Sequence, residues 1–88
     1  MRLLPHHRQI LEALEGAGTL DGHKLYLSFK GIAYRCEIKN FREIRRIVRH
    51  LARRGLAEYG KGLWDDEGMP KGSGYAITEA GEKALEAA

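Results

Sequence analysis

The stretch Asn40-Phe-Arg-Glu-Ile-Arg-Arg-Ile-Val-Arg-His-Leu-Ala-Arg-Arg-Gly55 decides how the rest of this 88-residue chain is read. At roughly 100° per residue, Phe41, Ile44, Ile47, Val48 and Leu51 fall in one apolar stripe, which predicts an amphipathic helix with a buried face. Asn40 followed three residues later by Glu43 is a variant capping box: the amide oxygen accepts from an N-terminal N–H and the carboxylate reaches back to the cap. Gly55 supplies the stop, because glycine tolerates the left-handed conformation just past a helix end. On the opposite side Arg42, Arg45, Arg46, Arg49 and Arg53 lie within an arc of roughly 100°. Like charges at i,i+4 cost about 0.2–0.5 kcal/mol per pair in an isolated helix, and only Glu43 stands among them to offset it. A merely solvated face mixes signs and this one scarcely does, so a polyanion-binding surface is the stronger reading.

Upstream, Pro5 suits the first turn of a helix, and Ile10, Leu11, Leu14 and Ala17 repeat at helical spacing until Gly16 and Gly18 end it. Leu4 offers no side-chain acceptor for its cap. Asp21-Gly22 is a turn signal, and Lys24-Leu25-Tyr26-Leu27 has the length and alternation of a short strand. Ser28 can cap a second helix from about Phe29 to Cys36, with Phe29, Ile32, Ala33 and Cys36 on one face. Only Glu37-Ile38-Lys39 then separates it from the arginine helix, and two helices so joined form a helix-turn-helix.

Downstream, Leu56–Tyr59 reads as a strand and Tyr75–Thr78 as its return, with the glycine-rich segment 60–74 between them as a long hairpin loop. Thr78 can cap a last helix, Glu79 sits well at its positive end, and Gly81, Ala84, Leu85 and Ala88 form a small-residue face. The expected order is helix, strand, helix, helix, strand, strand, helix, an α+β layout.

Hydrophobic residues at 43% and charged residues at 31% are ordinary for a globular domain, and the length fits one domain, residues 1–88. The net charge of +3 hides an asymmetry. Residues 1–55 hold 12 Lys/Arg against 5 Asp/Glu, a balance of +7, and residues 56–88 hold 3 against 7, a balance of −4. The base-rich part is the one expected to meet a partner. A single cysteine, Cys36, excludes an internal disulfide and fits a reducing compartment. No stretch reads as a secretory signal or a membrane span, so the cytoplasm is the expected location. His6, His7, His23, His50 and Cys36 lack metal-ligand spacing, Cys36 reads as a small core residue, and no nucleophile, base and orienting acid suggest catalysis. No cofactor, metal, membrane or enzymatic activity is expected.

The element order resembles the winged helix-turn-helix domain. Ile44-Arg-Arg-Ile-Val-Arg-His-Leu-Ala-Arg-Arg-Gly-Leu is similar to the recognition helix and following strand of MarR-like and related bacterial transcriptional regulators. Gly74-Tyr-Ala-Ile-Thr-Glu-Ala-Gly-Glu-Lys-Ala-Leu resembles the strand-to-helix junction that closes the wing there. The long pair of dimerisation helices that flank the domain in MarR-like proteins has no counterpart here. The resemblance implies a helix-turn-helix over about 28–55, a wing over about 56–78, and double-stranded DNA as partner, with the third helix in the major groove.

On that reading Asn40, Arg42, Arg45, Arg46 and Arg49 are the candidates for base edges, since the arginine fork matches guanine O6 and N7 together. Arg53 and Lys39 are expected on phosphates. Lys61 and Lys71 flank the wing loop and could reach DNA, whereas Asp65-Asp66-Glu67 at its expected tip would repel it. Ser28 is read as a cap before a phosphate ligand, and Trp64 as packed on its own hairpin before a wedge. The first helix and the small-residue face of the last are candidate homodimer surfaces, and no small-molecule effector is inferable. The rival reading is a protein-interaction module docking the same face on an acidic partner. RNA binding is a third class, disfavoured because its single-strand platforms use exposed aromatics and Phe41 is expected to face inward.

Overall fold

Leu4 precedes the first helix without a side-chain cap, as its chemistry requires, and its backbone N–H instead donates to His7 Nδ1 at 3.4 Å. The computed structural model describes residues 3–20, 23–64 and 70–87. Pro5 opens α1 (Pro5–Gly16), whose Ile10, Leu11, Ala13 and Leu14 are buried. The chain then forms a minimal antiparallel hairpin, β1 (Thr19–Leu20) with β2 (His23–Lys24), in the register Thr19↔Lys24 and Leu20↔His23. The turn expected at Asp21-Gly22 lies outside the described residues.

The strand expected over Lys24–Leu27 is thereby corrected. Pairing ends at Lys24, and Leu27 makes one isolated bridge with Tyr75, N–H to carbonyl in both directions at 2.8 and 2.9 Å. The next residue, Ser28, turns the backbone into α2 (Phe29–Arg35), so no second rung can form. Ser28 Oγ accepts from Gly31 N at 3.1 Å, the expected cap. Ile32 and Ala33 are buried, with Phe29 and Cys36 half-buried against the same core.

Asn40 Oδ1 accepts from the backbone N–H groups of Arg42 (2.9 Å) and Glu43 (3.4 Å) and starts α3 (Phe41–Arg53). The Glu43 carboxylate does not complete a capping box. It lies 3.1 Å from the Arg46 guanidinium and 3.8 Å from His6 Nδ1, where opposite charge outcompetes a neutral amide. Ile44, Ile47, Val48 and Leu51 are fully buried. Gly55 (φ +79°) ends the helix in a Schellman motif, with Gly55 N donating to Ala52 O and Leu56 N to Leu51 O, both at 3.0 Å.

β3 (Ala57–Trp64) and β4 (Pro70–Ile77) pair antiparallel from Ala57↔Ile77 to Trp64↔Pro70. The hairpin is therefore longer than expected: pairing runs through much of the segment read as loop, with register irregularities between Gly60 and Leu63 and between Leu63 and Trp64. Glycine lowers strand propensity because it packs no side chain, but the ladder needs only backbone groups and bulges absorb the mismatch. Thr78 Oγ1 accepts from Gly81 N (3.1 Å) to start α4 (Glu79–Ala87) and donates to Gly55 O (2.6 Å), tying the end of α3 to the start of α4. On the small-residue face of α4, Gly81 and Leu85 are buried and Ala84 is half-buried against the core, while Ala88 lies outside the described residues.

Candidate nucleic-acid interface

With its apolar stripe locked beneath it, α3 can present only one side outward. Arg42, Arg45, Arg46, Arg49 and Arg53 are all exposed. Among the described residues, Arg46 has an acidic partner, Glu43, and the guanidinium groups of Arg42, Arg45, Arg49 and Arg53 make no ion pair. Four unpaired cations along roughly three turns of one helix face concentrate positive potential where an anion can approach. Arg54, at the C-cap, is also exposed.

Two of the expected contact residues already have internal work. Lys39 Nζ donates to Ala33 O (2.6 Å) and Cys36 O (2.8 Å), satisfying carbonyls left open at the end of α2. Asn40 has its amide oxygen committed to the α3 cap. The stripe itself needs a correction at one end. Phe41, expected to anchor the helix from below, is 50% exposed. It opens the first turn, where no preceding turn covers it, and sits at the rim of the apolar arc, roughly 40° from Arg45 on the wheel.

No family model and no curated protein sequence matches the chain. Solved structures do match it. BpsR of Bordetella bronchiseptica, whose DNA binding is regulated by 6-hydroxynicotinic acid, superposes with a TM-score of 0.70 at 18% identity, over 97% of this chain and 55% of its own. A MarR-family transcription regulator gives a TM-score of 0.69 at 21% identity, over 97% of this chain and 48% of that one. A protein of Ralstonia eutropha described as a candidate DNA-binding protein gives 0.68 at 22% identity, covering 98% of this chain and 96% of its own. The chain folds as a winged helix-turn-helix. It spans about half the length of the first two of these neighbours.

In winged-helix terms, α2 and α3 are the helix-turn-helix and β3–β4 the wing. Lys61 lies in β3 and Lys71 in β4, so both are on the wing strands, while their side chains lie outside the described residues, as does that of Trp64. The acidic run Asp65-Asp66-Glu67 also lies outside them. Near the base of the wing, the Tyr59 ring meets Tyr75 edge-on at 5.3 Å, and Tyr75 stacks on Phe29 of α2 at 6.0 Å. Tyr59 is 62% exposed and its hydroxyl lies 2.6 Å from Ser73 Oγ. Nothing in the sequence marks this pair, because only the wing register brings residues 59 and 73 together.

Two histidines meet at the other flank of α3. The His7 and His50 rings lie 5.3 Å apart, joining α1 to α3. Burial, and then the positive charge available at His50, Arg46 and His6, holds the His7 imidazole below its ordinary pKa. Cys36 is half-buried, with Sγ 3.6 Å from Ile38 O. Among the described residues, no group of three or more His, Cys, Asp or Glu is placed to hold a metal ion, and no helix is long and apolar enough to cross a membrane.

Proposed function

We propose that residues 1–88 act as one winged-helix domain that binds duplex DNA and serves in the cytoplasm as a transcriptional regulator or an accessory factor in DNA transactions. The recognition helix enters the major groove, with Arg42, Arg45 and Arg49 toward base edges and Arg53 toward phosphate. Arg46 joins them once Glu43 yields to the stronger field of the phosphates. Lys61 and Lys71 contribute from the wing. The observation that carries this reading is the exposure of Arg42, Arg45, Arg49 and Arg53 on one face with no acidic partner among the described residues. The likeness of the fold to BpsR, whose DNA binding is itself the regulated activity, supports it. No effector is proposed for this chain.

The test is fluorescence anisotropy with random duplex at low salt, followed by a salt titration. Binding is expected, with log affinity falling linearly in log salt at a slope of about −0.9 per phosphate neutralised. Undetectable binding at low salt would favour the rival, docking of the same arginine face onto an acidic protein surface. Selection from a random duplex library then supplies a preferred site, and half-sites about 10 base pairs apart would identify a homodimer. Exposed Phe41 and Tyr59 give single-stranded nucleic acid a place as a second reading, since stacking platforms need such rings. Competition by single-stranded DNA and RNA of matched length decides between them.

A further inference from the structure

We infer that Phe41 is a base-reading residue, taking the C5-methyl group of a thymine at the edge of the arginine face. The inference rests on the duplex-DNA reading above and adds the chemical group that is recognised. Phe41 is the first residue of α3 and half of it is exposed. It belongs neither to the core nor to the partly buried residues packed on it, and the ring contacts among the described residues leave it out.

A single wet aromatic is ordinary on a protein surface. What distinguishes this one is its position, on the N-terminal turn of a recognition helix and at the edge of the arginine arc, roughly 40° from Arg45 and 100° from Arg42 on the same side. The N-terminal residues of such a helix are the ones that meet base edges. Those edges carry one apolar feature in the major groove, the thymine methyl, and apolar side chains are what contact it. The other large apolar residues of α3, Ile44, Ile47, Val48 and Leu51, are fully buried and cannot serve. Phe41 is the large apolar side chain of this helix left at the surface, and docking removes both its ring face and the methyl from water. Arg45 and Arg42 supply the polar contacts on the side where the arginine face begins.

Deoxyuracil differs from thymidine by that methyl group alone, which makes the inference directly testable. Duplexes selected by the full chain are resynthesised with each thymine replaced in turn by deoxyuracil, and Kd is measured by anisotropy. At one thymine in each bound half-site, replacement is expected to weaken binding about fourfold, the worth of one buried methyl group. Phe41→Ala protein is expected to bind the two duplexes alike, and Phe41→Leu, which keeps an apolar surface, to retain part of the preference. Selected sites lacking thymine, indifference of the unmodified chain to every replacement, or an undiminished preference in Phe41→Ala each overturn the assignment. So does tighter binding of single strands that is lost in Phe41→Ala, which would make the ring a stacking platform. Absence of any duplex binding overturns the parent reading and is seen before a uracil duplex is made. The uracil scan on the unmodified chain stands by itself where a variant does not fold.

Discussion

Each side chain along the start of α3 has one principal use, and the hydrogen bonds decide which. Asn40 holds the helix end with its amide oxygen, Lys39 holds the end of α2, and Arg46 leans on Glu43. Arg42, Arg45, Arg49 and Arg53 are exposed with no ion pair among the described residues, and these are the four proposed above to meet DNA. Position along the helix then divides them. Arg42→Ala or Arg45→Ala is expected to weaken binding to a selected site more than to random duplex, by about 1 to 3 kcal/mol of discrimination, because a bidentate guanine contact is lost. Arg53→Ala is expected to weaken both alike and to lower the salt slope by about one phosphate contact. Parallel titrations on selected and random duplexes check this, and equal losses for all three variants would remove the base-reading role and leave the phosphate role.

Between elements, the seam of α1 and α3 carries the pH sensitivity. The imidazoles of His7 and His50 face one another there, with Arg46 and His6 adding positive charge and Glu43 beside them opposing it. Because the folded state disfavours protonated His7, the unfolded chain binds more protons as pH falls through the ordinary imidazole range, about 6.5. The contribution of His7 is therefore fully present above that range and is lost as pH falls through it toward the depressed folded value. Urea denaturation at pH 8 and pH 5.5 is expected to show a larger loss of stability for the unmodified chain than for His7→Gln, which cannot titrate. A difference of the opposite sign would mean that protonated His7 is stabilised by the fold. The wing illustrates a different constraint between elements: a Cβ on Gly74 would come within 2.5 Å of the Leu27 carbonyl oxygen, so the bridge that joins the wing to the start of α2 requires glycine.

Across the whole molecule the charges are segregated. The cationic face of α3 belongs to the half with a balance of +7, and α4 to the half with a balance of −4. Lys83 on α4 is exposed and paired with Glu79 at 3.2 Å, so it supplies little field to a distant phosphate. Lys83→Ala is expected to leave duplex affinity within about twofold, while any single arginine removed from the face of α3 lowers it further. Comparable losses from both would show that net charge alone, with no oriented face, drives binding.

The sequence by itself determined what short-range chemistry specifies. Four helices, their caps at Ser28, Asn40 and Thr78, the glycine stop at position 55 and the arginine side of α3 all follow from spacing and from groups a few residues apart. Tertiary structure decided whatever depends on partners distant in the chain. It set the length of the wing, where backbone pairing overrides the weak strand preference of glycine. It reduced the strand expected before α2 to a single bridge, because the Ser28 cap turns the chain away from Tyr75. It also committed Lys39 and turned Phe41 outward, since a helical wheel records angle but not which neighbour reaches the first turn. Local periodicity fixes the direction in which a side chain points, and only packing determines what it meets there.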